Sequence, residues 1–64
     1  MELKDYQLQV LVLIAEGYST EEISLKLFIS KRTVEGIRQR LIKELDARNT
    51  PSLIYNAFKR GLIV

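Results

Sequence analysis

The stretch Ser19-Thr20-Glu21-Glu22-Ile23-Ser24-Leu25-Lys26-Leu27-Phe28-Ile29-Ser30-Lys31-Arg32-Thr33-Val34 holds two helix starts close together. Ser19 and Glu22 have the spacing of a capping box. The serine hydroxyl accepts from the backbone N–H three residues on, and the glutamate reaches back to the serine N–H. An apolar helix from Ile23 to Leu27 follows, then Phe28 and Ile29, then a second cap at Ser30. The second helix opens on Lys31 and Arg32, so it is basic from its first turn.

Working outward, the pattern predicts four helices and no strand, an all-α fold. No segment alternates with a period of two, and Pro51, the single proline, falls where a helix begins. Helix 1 is expected over about 5–16, with Leu3, Tyr6, Val10 and Ile14 on one inward stripe. Gly17 then supplies a left-handed C-terminal cap. Helix 2 is expected over about 20–27, with Ile23 and Leu27 inward. Helix 3 is expected over about 31–44, with Val34, Ile37, Leu41 and Leu45 inward. Helix 4 is expected over about 51–60, capped by Thr50 and opened by Pro51, where a missing N–H costs nothing. Its apolar residues are Leu53, Ile54, Ala57 and Phe58. Of these Leu53, Ala57 and Phe58 are expected to fill the core. Gly61 ends the helix and Leu62 closes the hydrophobic contact of that end.

Sixty-four residues make a single domain over 1–64, and such a chain buries only ~60% of its unfolded surface. There is no cysteine and no histidine. That removes disulfides, thiolate metal sites and the commonest general base. No phosphate-cradling glycine loop or facing carboxylate pair is present either. An enzyme is therefore not expected, and no cofactor or metal is implied. The longest apolar run, Val10 to Ala15, is far too short to span a bilayer. The first residues lack the basic-then-apolar pattern of a signal peptide. A cytoplasmic protein without a membrane partner is expected.

The net charge of +2 is unevenly spread. Residues 1–27 carry Lys4 and Lys26 against Glu2, Asp5, Glu16, Glu21 and Glu22, a net −3. Residues 28–64 carry eight basic side chains against Glu35, Glu44 and Asp46, a net +5. Such a split is the footprint of a polyanion on one side of a fold, or simply of an uneven solvated surface. Helix, short turn, basic helix is also the spacing of a DNA-binding helix-turn-helix, whose second helix enters the major groove.

Turning Val34, Ile37, Leu41 and Leu45 inward leaves Glu35, Gly36, Gln39, Arg40 and Lys43 on the opposite face of helix 3. Gln39 suits adenine and Arg40 suits guanine, each in bidentate fashion. Gly36 lets the helix backbone approach the bases, or is a neutral residue that touches nothing. Glu35 has two readings: it accepts from a cytosine amino group, or it forms a surface salt bridge with Arg38. Base contacts are therefore assigned to Glu35, Gly36, Gln39 and Arg40. Lys31, Arg32, Thr33 and Lys43 are assigned to phosphates, which fix register without reading sequence. Arg38 is expected to pair with an acidic residue of the N-terminal half. Arg48 and Asn49 are expected to bond the loop backbone.

The segments Gly17-Tyr18-Ser19-Thr20-Glu21-Glu22-Ile23-Ser24, Leu27-Phe28-Ile29-Ser30-Lys31-Arg32-Thr33-Val34-Glu35-Gly36 and Arg48-Asn49 resemble the LuxR/FixJ-type (GerE-like) helix-turn-helix domain. The resemblance covers about residues 3 to 63. It implies a four-helix unit that binds promoter DNA, often as the output domain of a response regulator or quorum sensor. It also implies a homodimer through helix 4, for which Ile54, Tyr55, Phe58 and Leu62 are the candidate contacts. A receiver or sensor domain, or RNA polymerase, would be the protein partners.

The sequence departs from the family pattern at three places. Leu3-Lys4-Asp5-Tyr6-Gln7 replaces the usual Leu-Ser/Thr-x-Arg-Glu opening, so Asp5 is expected to cap helix 1. Ile37 stands where relatives often have histidine, which favours packing. Leu8 and Val12 stand at positions often polar, and with Ala15 they form a second apolar stripe, a candidate protein contact. Two other readings stay open: a protein-interaction module on the same frame, and a fragment similar to sigma-factor region 4. The Gly-x-Ser-x-x-Glu-Ile run argues against the latter.

Overall fold

The computed structural model describes residues 3–64; Met1 and Glu2, the latter counted above in the acidic half, lie outside them. Four helices follow in order: α1 Asp5–Ala15, α2 Thr20–Leu27, α3 Lys31–Glu44 and α4 Thr50–Lys59. There is no strand among the described residues. Helix α3 packs against all three of the others. The core is Val10, Leu11, Ile14, Ile23, Val34, Leu41, Leu45, Leu53 and Ala57.

The helix starts are built from side-chain oxygens. Ser19 Oγ accepts from the Glu22 N–H at 3.1 Å while Glu22 Oε1 accepts from the Ser19 N–H at 2.8 Å. Ser30 Oγ accepts from the Thr33 N–H at 3.0 Å. Two starts differ from expectation. Helix α1 is not capped by Asp5, which is its first residue; instead Gln7 Oε1 accepts from the Lys4 N–H at 2.9 Å. Lysine has no acceptor to return the bond, so only half of a capping box remains, and Gln7 is buried making it. Helix α4 is capped by Asn49, whose Oδ1 accepts from the Ser52 N–H at 2.9 Å, and Thr50 is already its first residue. Asn49 thus bonds the local backbone, as expected of it.

The helix ends share one device. A left-handed residue follows each helix: Gly17 (φ 95°), Phe28 (φ 57°), Asp46 (φ 54°) and Gly61 (φ 75°). After α1, α3 and α4 the next two N–H groups fold back on the last turn. Tyr18 bonds Leu13, Ala47 bonds Ile42 and Leu62 bonds Ala57, at 2.9–3.1 Å. These are Schellman ends, and they satisfy carbonyls that the helix itself leaves unpaired. Leu62 packs against the core as expected.

Two side chains face a different way from the expected stripes. Tyr6 is exposed, and the inward face of α1 is Gln7, Val10, Leu11 and Ile14. The reason is that α1 is apolar on most of its circumference, so periodicity leaves its rotation undetermined. Phe58 is 61% exposed rather than in the core, because Leu53 and Ala57 already fill the inner face of α4. Leu8 and Ala15 are half-buried, and Val12 is exposed at a shallow groove shared with Leu8, Leu13 and Leu27. Ile37 is half-buried against the core, in keeping with a packing role.

Phe28 is 94% exposed, so its ring recovers no burial for a backbone conformation that is unfavourable for a bulky residue. Left-handed geometry costs roughly 1–2 kcal/mol for such residues, and asparagine tolerates it better. Phe28→Asn is therefore expected to raise the urea midpoint by about 1 kcal/mol equivalent at unchanged m-value. A lower midpoint would show that the ring stabilises the turn.

Candidate nucleic-acid interface

The short turn between α2 and α3 sets the interface. Ile29 donates to the Ser24 carbonyl at 3.1 Å, and Ile29 itself packs on the core. Ser30 then starts α3, its hydroxyl also hydrogen-bonded to Thr33 Oγ1 at 2.9 Å. Val34, Leu41 and Leu45 are fully buried on one side of α3. On the other side Gly36, Gln39, Arg40 and Lys43 are exposed, and Lys31, Arg32 and Thr33 are exposed in its first turn. The structure thus places all the residues assigned to bases and phosphates on one helix and leaves all of them exposed except Glu35, which is half-buried.

Their surroundings differ. A Cβ built on Gly36 would meet nothing within 4 Å, so the fold of this chain does not require glycine there. Arg40 lies beside Glu44 through Nε at 3.9 Å, and Lys31 pairs with Glu21 at 3.1 Å. Both pairs are on the surface, where such contacts contribute ~0–1 kcal/mol and yield readily to another partner.

Glu35 is placed differently from its neighbours. One carboxylate oxygen accepts from the Thr20 hydroxyl and the other from an Arg38 terminal nitrogen. The salt bridge to Arg38, one of its two readings in the sequence, is therefore present. Arg38 was expected to find its acidic partner in the N-terminal half. It finds Glu35 one turn away on its own helix, and its other terminal nitrogen donates to Thr50 Oγ1 at 2.8 Å. Neither threonine role was legible, because contacts between residues 12 and 15 apart leave no local periodic signal.

The candidate dimer residues also lie together. Tyr55 and Phe58 are each 61% exposed on successive turns of α4, and Ile54 and Leu62 are half-buried. Lys59 Nζ sits 5.5 Å from the Tyr55 ring centre. Missed by the sequence reading was Asn56, whose Nδ2 donates to the Leu45 carbonyl at 2.9 Å and so ties α4 to the end of α3. Among the described residues no cluster of potential ligands could hold a metal ion, and no helix is long and apolar enough to cross a membrane.

Compared with known proteins, residues 1–57 match the family described as bacterial regulatory proteins, luxR family. The chain belongs to this family. It is a four-helix, all-α helix-turn-helix domain of LuxR type. It is 38% identical over 61 residues to the oxygen regulatory protein NreC of Staphylococcus haemolyticus (strain JCSC1435). The same identity holds for NreC of Staphylococcus carnosus (strain TM300) and of Staphylococcus aureus (strain JH9). Each alignment takes in 95% of this chain and 28% of the relative, so the chain spans a little over a quarter of the length of these relatives. No solved structure matches it.

Arg38 foremost, and then the Thr20 hydroxyl, hold the Glu35 carboxyl below its ordinary value of 4.5. Glu22 is lowered too, by the backbone N–H and then the hydroxyl of Ser19. A depressed carboxyl contributes stability that is fully present above its unfolded pKa and is lost as pH falls through the folded one. Stability is thus expected to fall between about pH 5 and pH 3. Glu35→Gln should flatten that fall, read as urea midpoints across the range. An equally steep fall in the variant would show that Glu35 does not carry it.

Proposed function

We propose that this domain binds double-stranded DNA sequence-specifically as part of a transcription regulator, with α3 in the major groove. The observation that carries the reading is the division of α3. Val34, Leu41 and Leu45 hold it to the core, while Gly36, Gln39, Arg40 and Lys43 stand open on the other side. Gln39 reads adenine and Arg40 reads guanine, each worth ~1–3 kcal/mol of discrimination. Lys31, Arg32, Thr33 and Lys43 hold phosphates. Gly36 lets the backbone come close to the base edges.

A single copy reads about half a site, and a two-fold pair matches a two-fold operator. The exposed Tyr55 and Phe58, with the half-buried Ile54 on the same helix and Leu62 just after it, support a homodimer through α4. Membership of a regulatory-protein family supports a receiver or sensor domain, or RNA polymerase, as protein partner. A protein-interaction role on the same frame has one observation in its favour, the Leu8, Val12, Leu13 and Leu27 groove. Affinity for DNA that falls as salt rises separates the two, since counterion release accompanies phosphate binding.

Arg40→Ala is expected to weaken binding and relax preference at one base pair. Lys43→Ala should weaken all sequences alike and reduce the salt slope by ~1. Fluorescence anisotropy on duplexes recovered from a random pool reads both, and unchanged affinity in both variants would remove α3 from the groove. Gly36→Ala separates folding from binding. It should stabilise the free domain by ~1 kcal/mol, the usual cost of glycine within a helix, yet weaken DNA binding. Full affinity in that variant would leave Gly36 without a part in close approach.

A further inference from the structure

Three helices meet at a polar cluster that the DNA-facing roles do not use. Thr20 is the first residue of α2, Thr50 is the first residue of α4, and Glu35 and Arg38 lie one turn apart on α3. Hydrogen bonds run without a break from Thr20 to Glu35, from Glu35 to Arg38 and from Arg38 to Thr50. Thr20, Arg38 and Thr50 of this cluster line a shallow cleft together with the core residues Ile14, Ile23 and Val34.

The cluster has a cost that points to its purpose. Arg38 Nε is buried with no hydrogen-bond partner among the described residues. An unpaired buried donor is unfavourable. The side chain accepts that cost in a pose where its two terminal nitrogens reach Glu35 and Thr50. Moving Glu35 out to a base would remove the ion pair from a guanidinium that already lacks one partner. With Arg38 beside it, Glu35 also presents no uncompensated negative charge to approaching phosphates.

We propose that Glu35 and Arg38 are positioning residues that, through Thr20 and Thr50, fix the roll of α3 against α2 and the base of α4, and that Glu35 itself reads no base. Gln39 and Arg40 stand on the next turn of the same helix. Recognition groups must be held within about 10–20° of their working orientation, so the roll of α3 decides whether they meet their bases. This deepens the DNA-binding reading and rests on it.

The test measures affinity of the 64-residue chain and its variants for two duplexes. One is recovered from a random pool by the unaltered chain, and the other is its scrambled sequence. The variants are Glu35→Ala, Arg38→Met, their double, Thr20→Val and Thr20→Ser, each measured at a temperature where circular dichroism shows it folded. Glu35→Ala and Arg38→Met are each expected to lose about tenfold for the recovered duplex and little or nothing for the scrambled one, with the double no worse than either, as coupled residues behave. Thr20→Val should lose affinity in the same selective way, and Thr20→Ser should retain it.

Reselection with Glu35→Ala that returns a different base at one position, while Arg38→Met keeps full affinity, overturns the proposal and makes Glu35 a base reader. Full selective affinity in both single variants also overturns it. Should those two fail to fold, the Thr20 pair decides: loss in Thr20→Val with rescue in Thr20→Ser supports the positioning role, and no difference between them removes it. An unaltered chain that binds neither duplex in a salt-dependent way refutes the DNA-binding reading itself, a result distinct from every outcome above.

Discussion

Helix α3 has to satisfy two demands on one cylinder. One side must supply part of the core, because α3, like α1, packs against all three of the other helices. The other side is polar and exposed. A repeat of 3.6 residues per turn allows both only if apolar residues keep to one stripe. Val34, Leu41 and Leu45 do so and are fully buried, with Ile37 half-buried at the edge. Each such burial stabilises by roughly 1.5–3 kcal/mol before entropy is set against it. In a chain this small, few residues share that burden, so the orientation of α3 and the stability of the domain are the same question.

The connections follow from this demand. To wrap three helices around α3, the chain must reverse within a few residues each time. A left-handed residue after every helix does this, and Schellman bonds pair the carbonyls that are left over. Between α2 and α3 the reversal is tightest. Phe28 takes the left-handed position, Ile29 is anchored in the core and Ser30 starts the next helix. The unfavourable backbone of Phe28 is tolerated because the bonds on either side of it fix the entry of α3.

What could be read in the sequence was whatever is local. The caps at Ser19 and Ser30 and the ends at Gly17 and Gly61 depend on residues within a turn of one another, and they stand where expected. The stripe of α3 was legible because its polar and apolar sides are sharply divided. Rotation of α1 was not, since Leu8, Val10, Leu11, Val12, Leu13 and Ile14 surround most of its axis. Tyr6 accordingly reads as inward, where the structure has Gln7. In α4 a similar ambiguity placed Phe58 inside, although Leu53 and Ala57 leave no room for it. Phe28 and Asp46 gave no sign of left-handed backbone because neither is glycine. The site was legible as a helix face, but the bond chain through Glu35 and Arg38 joins residues from three helices and has no pattern in the sequence.

That bond chain changes how the interface should be understood. The exposed face of α3 and the exposed aromatics of α4 lie on different elements, joined by more than the apolar core. Arg38 reaches Thr50 at one end of α4, and Asn56 reaches the Leu45 carbonyl from its middle. Apolar packing between these helices is supplemented by directional contacts. Hydrogen bonds are directional and lose strength steeply when misaligned. Two polar links, from Arg38 and from the Leu45 carbonyl, therefore add to the packing of Leu41 and Leu53 in opposing rotation of α3 against α4. In the proposed homodimer through α4, these links would set the distance and angle between the two α3 helices. On that proposal, the geometry with which a pair meets DNA would depend on residues assigned to neither the DNA nor the second copy.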